Sequence, residues 1–202
     1  MTNIYLVRHG STEWNEKRIW QGVVDTELSS RGIEEVEKVS EFFKNKSIDA
    51  IFSSPMKRAR QTANIIASKI GYDSDRIITD NRLRECEIRL WNGKTNEEIA
   101  QLYATQFHEW FTNLNSNIAG VESLESVQER MHDSLMDVIV HFTNKNVIIV
   151  SHAIAMRMLI SKILNLVPPD HLNFALDNAS VSSLISNDGK IKVRFLNYTS
   201  NL

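Results

Sequence analysis

Three short segments, far apart in the chain, each follow an apolar run with residues suited to holding an anion. They are Arg8-His9-Gly10-Ser11-Thr12, Ser53-Ser54-Pro55-Met56-Lys57-Arg58 and Ser151-His152. A lone histidine is more often structural than catalytic, and an arginine after a strand is usually solvated. It is the combination that points to chemistry. Arginine presents planar, paired N–H donors that match phosphate oxygens. A neutral imidazole nitrogen can attack phosphorus. A second histidine and the arginines would then stabilise charge on the equatorial oxygens of the group in transfer. Gly10 reads as a residue that lets the backbone approach a ligand closely. A departing alkoxide also needs a proton. Glu85 and Glu87, in Leu83-Arg84-Glu85-Cys86-Glu87, are the candidates to supply it. They would share a face if this stretch is extended, and spacing alone does not choose between them.

Elements of known kinds must bring these segments together. Ile4 to Val7, Ala50 to Phe52 and Val147 to Val150 read as buried strands. Helical spacing of Ile33, Val36, Val39 and Phe43 predicts a helix from Ser30 to Phe43. A second helix is expected from Pro55, a favoured first helical residue, to about Ile70, with Gly71 at its end. A third runs from about Ile154 to Leu166 and is stopped by Pro168. Val181 to Ile185 and Ile191 to Phe195 flank Asn187-Asp188-Gly189, a hairpin signal. Strands alternating with helices predict an α/β fold: a mainly parallel central sheet with helices on both faces, in three layers. In such sheets ligands bind beyond the carboxyl ends of the strands, where all three segments lie.

The middle of the chain reads differently. Thr95 to Glu98 fits a capping box, and Ile99, Leu102, Tyr103, Phe107 and Trp110 continue a helical stripe. A second stripe runs through Leu124, Val127, Met131, Leu135, Val138 and Phe142. We read residues from about Thr95 to Gly120 as a helical excursion over one end of the sheet, within a single domain spanning 1–202. Phe107, Trp110 and Phe111 are equally readable as an apolar pocket wall or as core.

Composition excludes several other functions. Hydrophobic residues make up 42% and charged residues 24%, the balance of an ordinary globular chain. A net charge of -2 marks no nucleic-acid partner, so an anion must be held by a local cationic pocket. Cys86 is the single cysteine, which rules out an internal disulfide. No stretch has the form of a signal peptide or a membrane span, so a cytoplasmic location is expected, and the sequons at Asn45, Asn178 and Asn197 are read as chance. His108, His132, His141 and His171 lack metal-ligand spacing, and no Asp or Asn cluster suits magnesium. Neither a metal nor a cofactor is expected. Gly93-Lys94-Thr95 mimics the end of a P-loop, but Ile88 stands where its first glycine is needed. Oligomeric state is not readable.

At these residues the sequence resembles the histidine phosphatase superfamily, the phosphoglycerate-mutase-like proteins. The likeness rests on Leu6 to Asn15, Gln21-Gly22 with Asp25 and Leu28, Ser53 to Ala63, Leu83-Arg84-Glu85, Glu122-Ser123-Leu124 and Val150-Ser151-His152, in the expected order. It implies a phosphomonoester hydrolase that acts on a small phosphorylated metabolite. His9 would be the phosphorylated nucleophile. Arg8, Arg58 and His152 would complete the phosphate pocket, and Asn15 would also touch phosphate. Glu85 would be the proton donor, since the family's Leu-x-Glu element selects it over Glu87. Gln21 and Gly22 would lie on the substrate side, and so would Ala153, which stands where the family usually has glycine. Arg89 also replaces a usual glycine, and either adds a cation to the pocket or points to solvent. Two other readings are a phosphoglycerate mutase and a non-catalytic phospholigand-binding module. True mutases of the family carry an extended Glu-Arg-His-Tyr-Gly element and a proline-rich insertion. Here Glu85-Cys86-Glu87-Ile88-Arg89 replaces the former and the insertion is missing. A binding module would be favoured by loss of His9 or Glu85, and both are present.

Overall fold

Alternation along the strands decides the architecture. In β1 (Thr2–Arg8), Ile4 and Leu6 join the core on one face of the sheet and Tyr5 and Val7 join the core on the other. Successive strand residues face opposite ways, so an unbroken apolar run needs cover on both sides. β2 (Ala50–Ser53) and β4 (Asn146–Ser151) follow the same rule: Phe52, Val147 and Ile149 lie on the first face, Ile51, Ile148 and Val150 on the second. The first face is covered by α6 (Leu124–His141) and α7 (Ala153–Leu164). The second is covered by α2 (Ser30–Ser40) and α3 (Lys57–Ile70). The computed structural model, which describes residues 1–200, is therefore a three-layer α/β sandwich.

The sheet has six strands in the order β3-β2-β4-β1-β5-β6, with β3 at Ile78–Thr79, β5 at Val181–Asn187 and β6 at Lys190–Tyr198. β1 to β4 run parallel, while β5 and β6 add an antiparallel edge. Asp188 and Gly189 both take positive φ (48° and 76°), the backbone a tight two-residue hairpin turn requires. The two-residue β3 was not foreseen, because Ile78-Thr79 is too short to show a period. The single turn α1 (Glu13–Glu16), capped by Thr12, was also not foreseen.

Several boundaries differ from expectation. α3 starts at Lys57 rather than Pro55, because the Ser54 hydroxyl accepts the Met56 N–H and holds the chain in a turn. α7 ends at Leu164 because Asn165 turns left-handed (φ 52°), ahead of Pro168. The stripe from Ile99 to Trp110 is two helices, α4 (Asn96–Leu102) and α5 (Ala104–Thr112), broken at Tyr103 (φ -139°, ψ 24°). Thr95 and Glu98 do form the reciprocal capping box. Trp110 is fully buried, and it meets Trp20, Trp91 and Phe111 edge-on.

Candidate active site

The register of the central strands brings the histidines together. Arg8 in β1 lies opposite Ser151 in β4, so the next residues, His9 and His152, are neighbours. The His9 N–H donates to Ser151 O at 3.1 Å, and the two imidazole rings lie 5.1 Å apart. β2 flanks β4 with Ser53 opposite Val150, which delivers Ser54 and then Arg58 to the same edge.

His9 is held in one tautomer. Its Nδ1 lies 2.7 Å from Gly10 O. A carbonyl only accepts, so Nδ1 carries the proton and Nε2 keeps its lone pair. Arg58 Nε donates to that Nε2 at 3.3 Å, consistent with this assignment. Burial, and then the positive charges of Arg58 and Arg8, hold the His9 pKa well below 6.5, so the ring is neutral. Gly10 has a different reason from the expected one. A Cβ there would lie 2.5 Å from Gly32 O and 2.7 Å from Val36 Cγ2, so its absence admits α2 rather than a ligand. Thr62 ties the same loop to α3: its hydroxyl accepts the Gly10 N–H and donates to Arg58 O.

The two arginines are fixed by carbonyls. Arg58 donates to Val24 O (2.7 Å) and Gly22 O (2.8 Å), and Arg8 donates to Leu176 O (2.6 Å). Burial lowers the Arg58 pKa to about 10, with Glu85 and Asp25 opposing, so it stays charged at neutral pH. Gly22 sits at φ 49°, and a Cβ there would meet Ile88 at 2.5 Å; the turn that presents its carbonyl to Arg58 needs glycine. Gln21 is buried beside it and accepts from Thr26.

A cavity of about 360 Å³ opens over these groups, lined by Arg8, His9, Asn15, Gln21, Gly22, Arg58, Glu85 and Ala153 among others. His152 is not on its wall. It lies fully buried beside His9, with Nε2 2.7 Å from Ser54 Oγ and Nδ1 without a partner among the described residues. Asn15 Oδ1 accepts from the Thr12 N–H and hydroxyl and from Asn178, which leaves its amide N–H groups for the cavity. The Glu85 carboxylate accepts backbone N–H groups from Cys86 (2.8 Å), Ala155 (3.1 Å) and Ile154 (3.2 Å). The last two belong to the first turn of α7, so that helix start orients it. Ala153 opens α7 at the cavity wall, and its N–H is not taken by Glu85.

The two glutamates are thus separated by the fold. Glu85 lines the cavity, whereas Glu87 pairs with Arg89, whose side chain is 73% exposed. Arg89 is therefore not a cation of the pocket. Of the aromatic candidates, Phe111 lines the cavity and Trp110 is core. Sequence reasoning missed Trp20, Cys86, Arg18 and Arg157 on the cavity wall, and the contact of Ser54 with His152. Ser54 was flagged only within the segment Ser53 to Arg58, and Cys86 only as the single cysteine beside Glu85. Among the described residues no group of three or more His, Cys, Asp or Glu side chains gathers as metal ligands.

The fold and this pocket define a phosphatase of the histidine type. The chain belongs to the histidine phosphatase superfamily (branch 1), whose family model matches residues 4–199. It is 31% identical over 203 residues to phosphoserine phosphatase 1 of Hydrogenobacter thermophilus, covering 100% of this chain and 95% of that one. It is 35% identical over 187 residues to the probable phosphoglycerate mutase GpmB of Proteus mirabilis, covering 90% and 84%. A solved phosphoserine phosphatase mutant from Entamoeba histolytica, in complex with phosphoserine, superposes with a TM-score of 0.88 at 26% identity over 100% of both chains. No helix among the described residues is long and apolar enough to cross a membrane.

Proposed function

We propose that this protein hydrolyses a small phosphate monoester through a phosphohistidine at His9, with Glu85 as proton donor. The observation that carries the proposal is the tautomer lock. Gly10 O holds the Nδ1 proton, so a neutral Nε2 lone pair stands at the cavity between two arginines. In the first step Nε2 bonds to phosphorus and the ester P–O bond breaks. Glu85 passes its proton to the departing alkoxide. Arg58 redirects its Nε–H hydrogen bond from His9 to a phosphate oxygen, and Arg8 Nε–H, buried without a partner among the described residues, binds another; His152, whose ring lies 5.1 Å from that of His9, offers its Nδ1–H from beneath the cavity wall. Asn15 and the Ala153 N–H complete the cradle. In the second step the Glu85 carboxylate takes a proton from water, the oxygen attacks phosphorus, and the P–N bond breaks. This returns His9 and the acid to their starting forms.

The substrate class is supported by the relatives, which include enzymes named for phosphoserine, and by the size of the cavity. A cytoplasmic home belongs to the same reading, supported by the one buried, unpaired Cys86. Brief reaction with substrate followed by acid-sensitive phosphopeptide mapping should place phosphate on His9. Full turnover by His9→Ala would overturn the proposal.

The likeness to a probable phosphoglycerate mutase supports a second reading, isomerisation through the same phosphohistidine. The test is 3-phosphoglycerate with a bisphosphoglycerate primer. Phosphate release should far outrun formation of 2-phosphoglycerate; the reverse ranking would make the protein an isomerase.

A further inference from the structure

We propose that Arg157 is a specificity residue that binds a carboxylate on the alcohol portion of the substrate. The inference rests on the phosphatase reading above and names the class of ester that the site takes.

Arg157 lies on α7, one turn beyond Ala153, and lines the same cavity as His9. Its guanidinium is anchored on one side only. Nη1 donates to His171 O (2.7 Å) and Phe174 O (2.8 Å), and the guanidinium carbon stands 5.1 Å from the Phe174 ring centre. Among the described residues Nε and Nη2 have no acceptor, and no carboxylate forms an ion pair with the guanidinium. The group is only half-buried, so these N–H groups are open to the cavity rather than sealed in the core. Arg8 is anchored alongside it, on Leu176 O of the same 171–176 segment. The segment therefore holds two guanidinium groups at one cavity, one beside His9 and one a helical turn away.

Charge argues for a second anionic group. Arg8 feels Glu85, Asp177 and Glu35, and Arg58 feels Glu85 and Asp25. Arg157 has only Glu85 acting on it, and burial lowers its pKa. A cation taken partly out of water with no counter-ion is costly unless a ligand supplies one. Arginine's free edge, with two parallel N–H donors, matches a carboxylate in a bidentate pair. The phosphate itself has Arg8, Arg58 and His152. Arg157 is thus left for the acid group of an ester such as a phosphorylated hydroxy acid or amino acid. Arg18 also lines the cavity, but it is exposed at the mouth, where solvent screens its charge.

The test compares 3-phosphoglycerate with glycerol 3-phosphate, which replaces the carboxylate by a hydroxymethyl group. In the wild type, KM should be about tenfold or more lower for the carboxylated ester. Arg157→Gln should raise KM for 3-phosphoglycerate by about that factor and leave glycerol 3-phosphate within about twofold, with kcat changed little for either. Arg157→Lys should recover part of the loss, because it keeps the charge but not the fork. Arg157 also pins the 171–174 turn, and loss of that support would weaken both esters alike. Equal losses on both therefore overturn the carboxylate assignment, as does equal KM in the wild type. A selective loss in Arg18→Gln instead of Arg157→Gln would overturn it too, by moving the anchor to Arg18. No turnover of any phosphate ester by the wild type would overturn the phosphatase reading itself, a result distinct from all of these.

Discussion

Ser54 Oγ lies 2.7 Å from His152 Nε2, and both side chains are fully buried. The same oxygen accepts the Met56 N–H at 3.3 Å, so its own proton is free to point at the imidazole. With that proton pointed at the imidazole, Nε2 is the acceptor and the His152 proton sits on Nδ1, the atom with no partner among the described residues. Ser54 is therefore a positioning residue that sets which edge of His152 can donate. Ser54→Ala should slow phosphorylation of the enzyme by about tenfold, less than the roughly 10²–10³-fold for removing a transition-state donor outright because the imidazole remains, while KM changes little. Single-turnover kinetics check this, and Ser54→Thr, which keeps the hydroxyl, should retain more activity than the alanine variant.

Glu85→Gln removes the proposed acid and keeps its shape. An alkyl alkoxide needs a proton to leave, whereas a nitrophenolate leaves unaided. The loss should be about 10²–10⁴-fold on alkyl phosphates and much smaller on nitrophenyl phosphate, measured on the phosphorylation step. Glu87→Gln should change neither, since Glu87 faces Arg89 away from the cavity. A selective loss in Glu87→Gln would exchange the two roles.

The pH profile of kcat/KM follows from the free enzyme. His9 titrates well below 6.5 because burial and two arginines oppose its charge, so the proposed nucleophile remains neutral and the rate should not fall as pH drops from 7.5 to 6.5. On the other side, for nitrophenyl phosphate, whose leaving group needs no proton from Glu85, the rate should fall where Arg58 loses its proton, at about 10, as the pocket loses a cation. An acid limb centred at or above 6.5 would count against the neutral-His9 mechanism.

Stability should depend on pH through three buried histidines. His9, His152 and His171 all have lowered pKa values, with burial the first cause in each. Below about 6.5 the unfolded chain binds protons that the fold excludes. Unfolding free energy is therefore fully retained above that pH and falls as pH drops below it, by at most about 1.4 kcal/mol per pH unit for each histidine. Urea unfolding at pH 7.5, 6.5 and 5.5 measures the slope. His171 has both ring nitrogens buried without partners among the described residues, so His171→Leu should raise stability at neutral pH and flatten the acid slope. A steeper slope in that variant would mean that His171 is not a source of it.

The parts of this protein that repeat in sequence were legible there. The apolar runs of β1, β2 and β4, the stripes of α2, α3 and α6, and the Asn187-Asp188-Gly189 turn each advertise a local rule, the twofold alternation of a strand, the 3.6-residue period of a helix, or the φ demand of a tight turn. The rule that ligands sit past the carboxyl ends of parallel strands then placed Arg8, His9, Arg58 and His152 on one edge. Choosing Glu85 over Glu87 by spacing was not possible, because both lie on a short irregular stretch. The choice is made by where the start of α7 offers its N–H groups. The tautomer of His9, the burial of His152 behind it and the role of Gly10 are also contacts between segments distant in sequence. Arg157 carried no signal for the same reason. Its significance comes from carbonyls in a loop that follows it and from a cavity whose other wall is built by residues more than a hundred positions earlier. Periodicity encodes which side of an element is apolar; only packing decides which polar groups are left without a partner, and which of them, as Arg8 does and His171 does not, face the cavity.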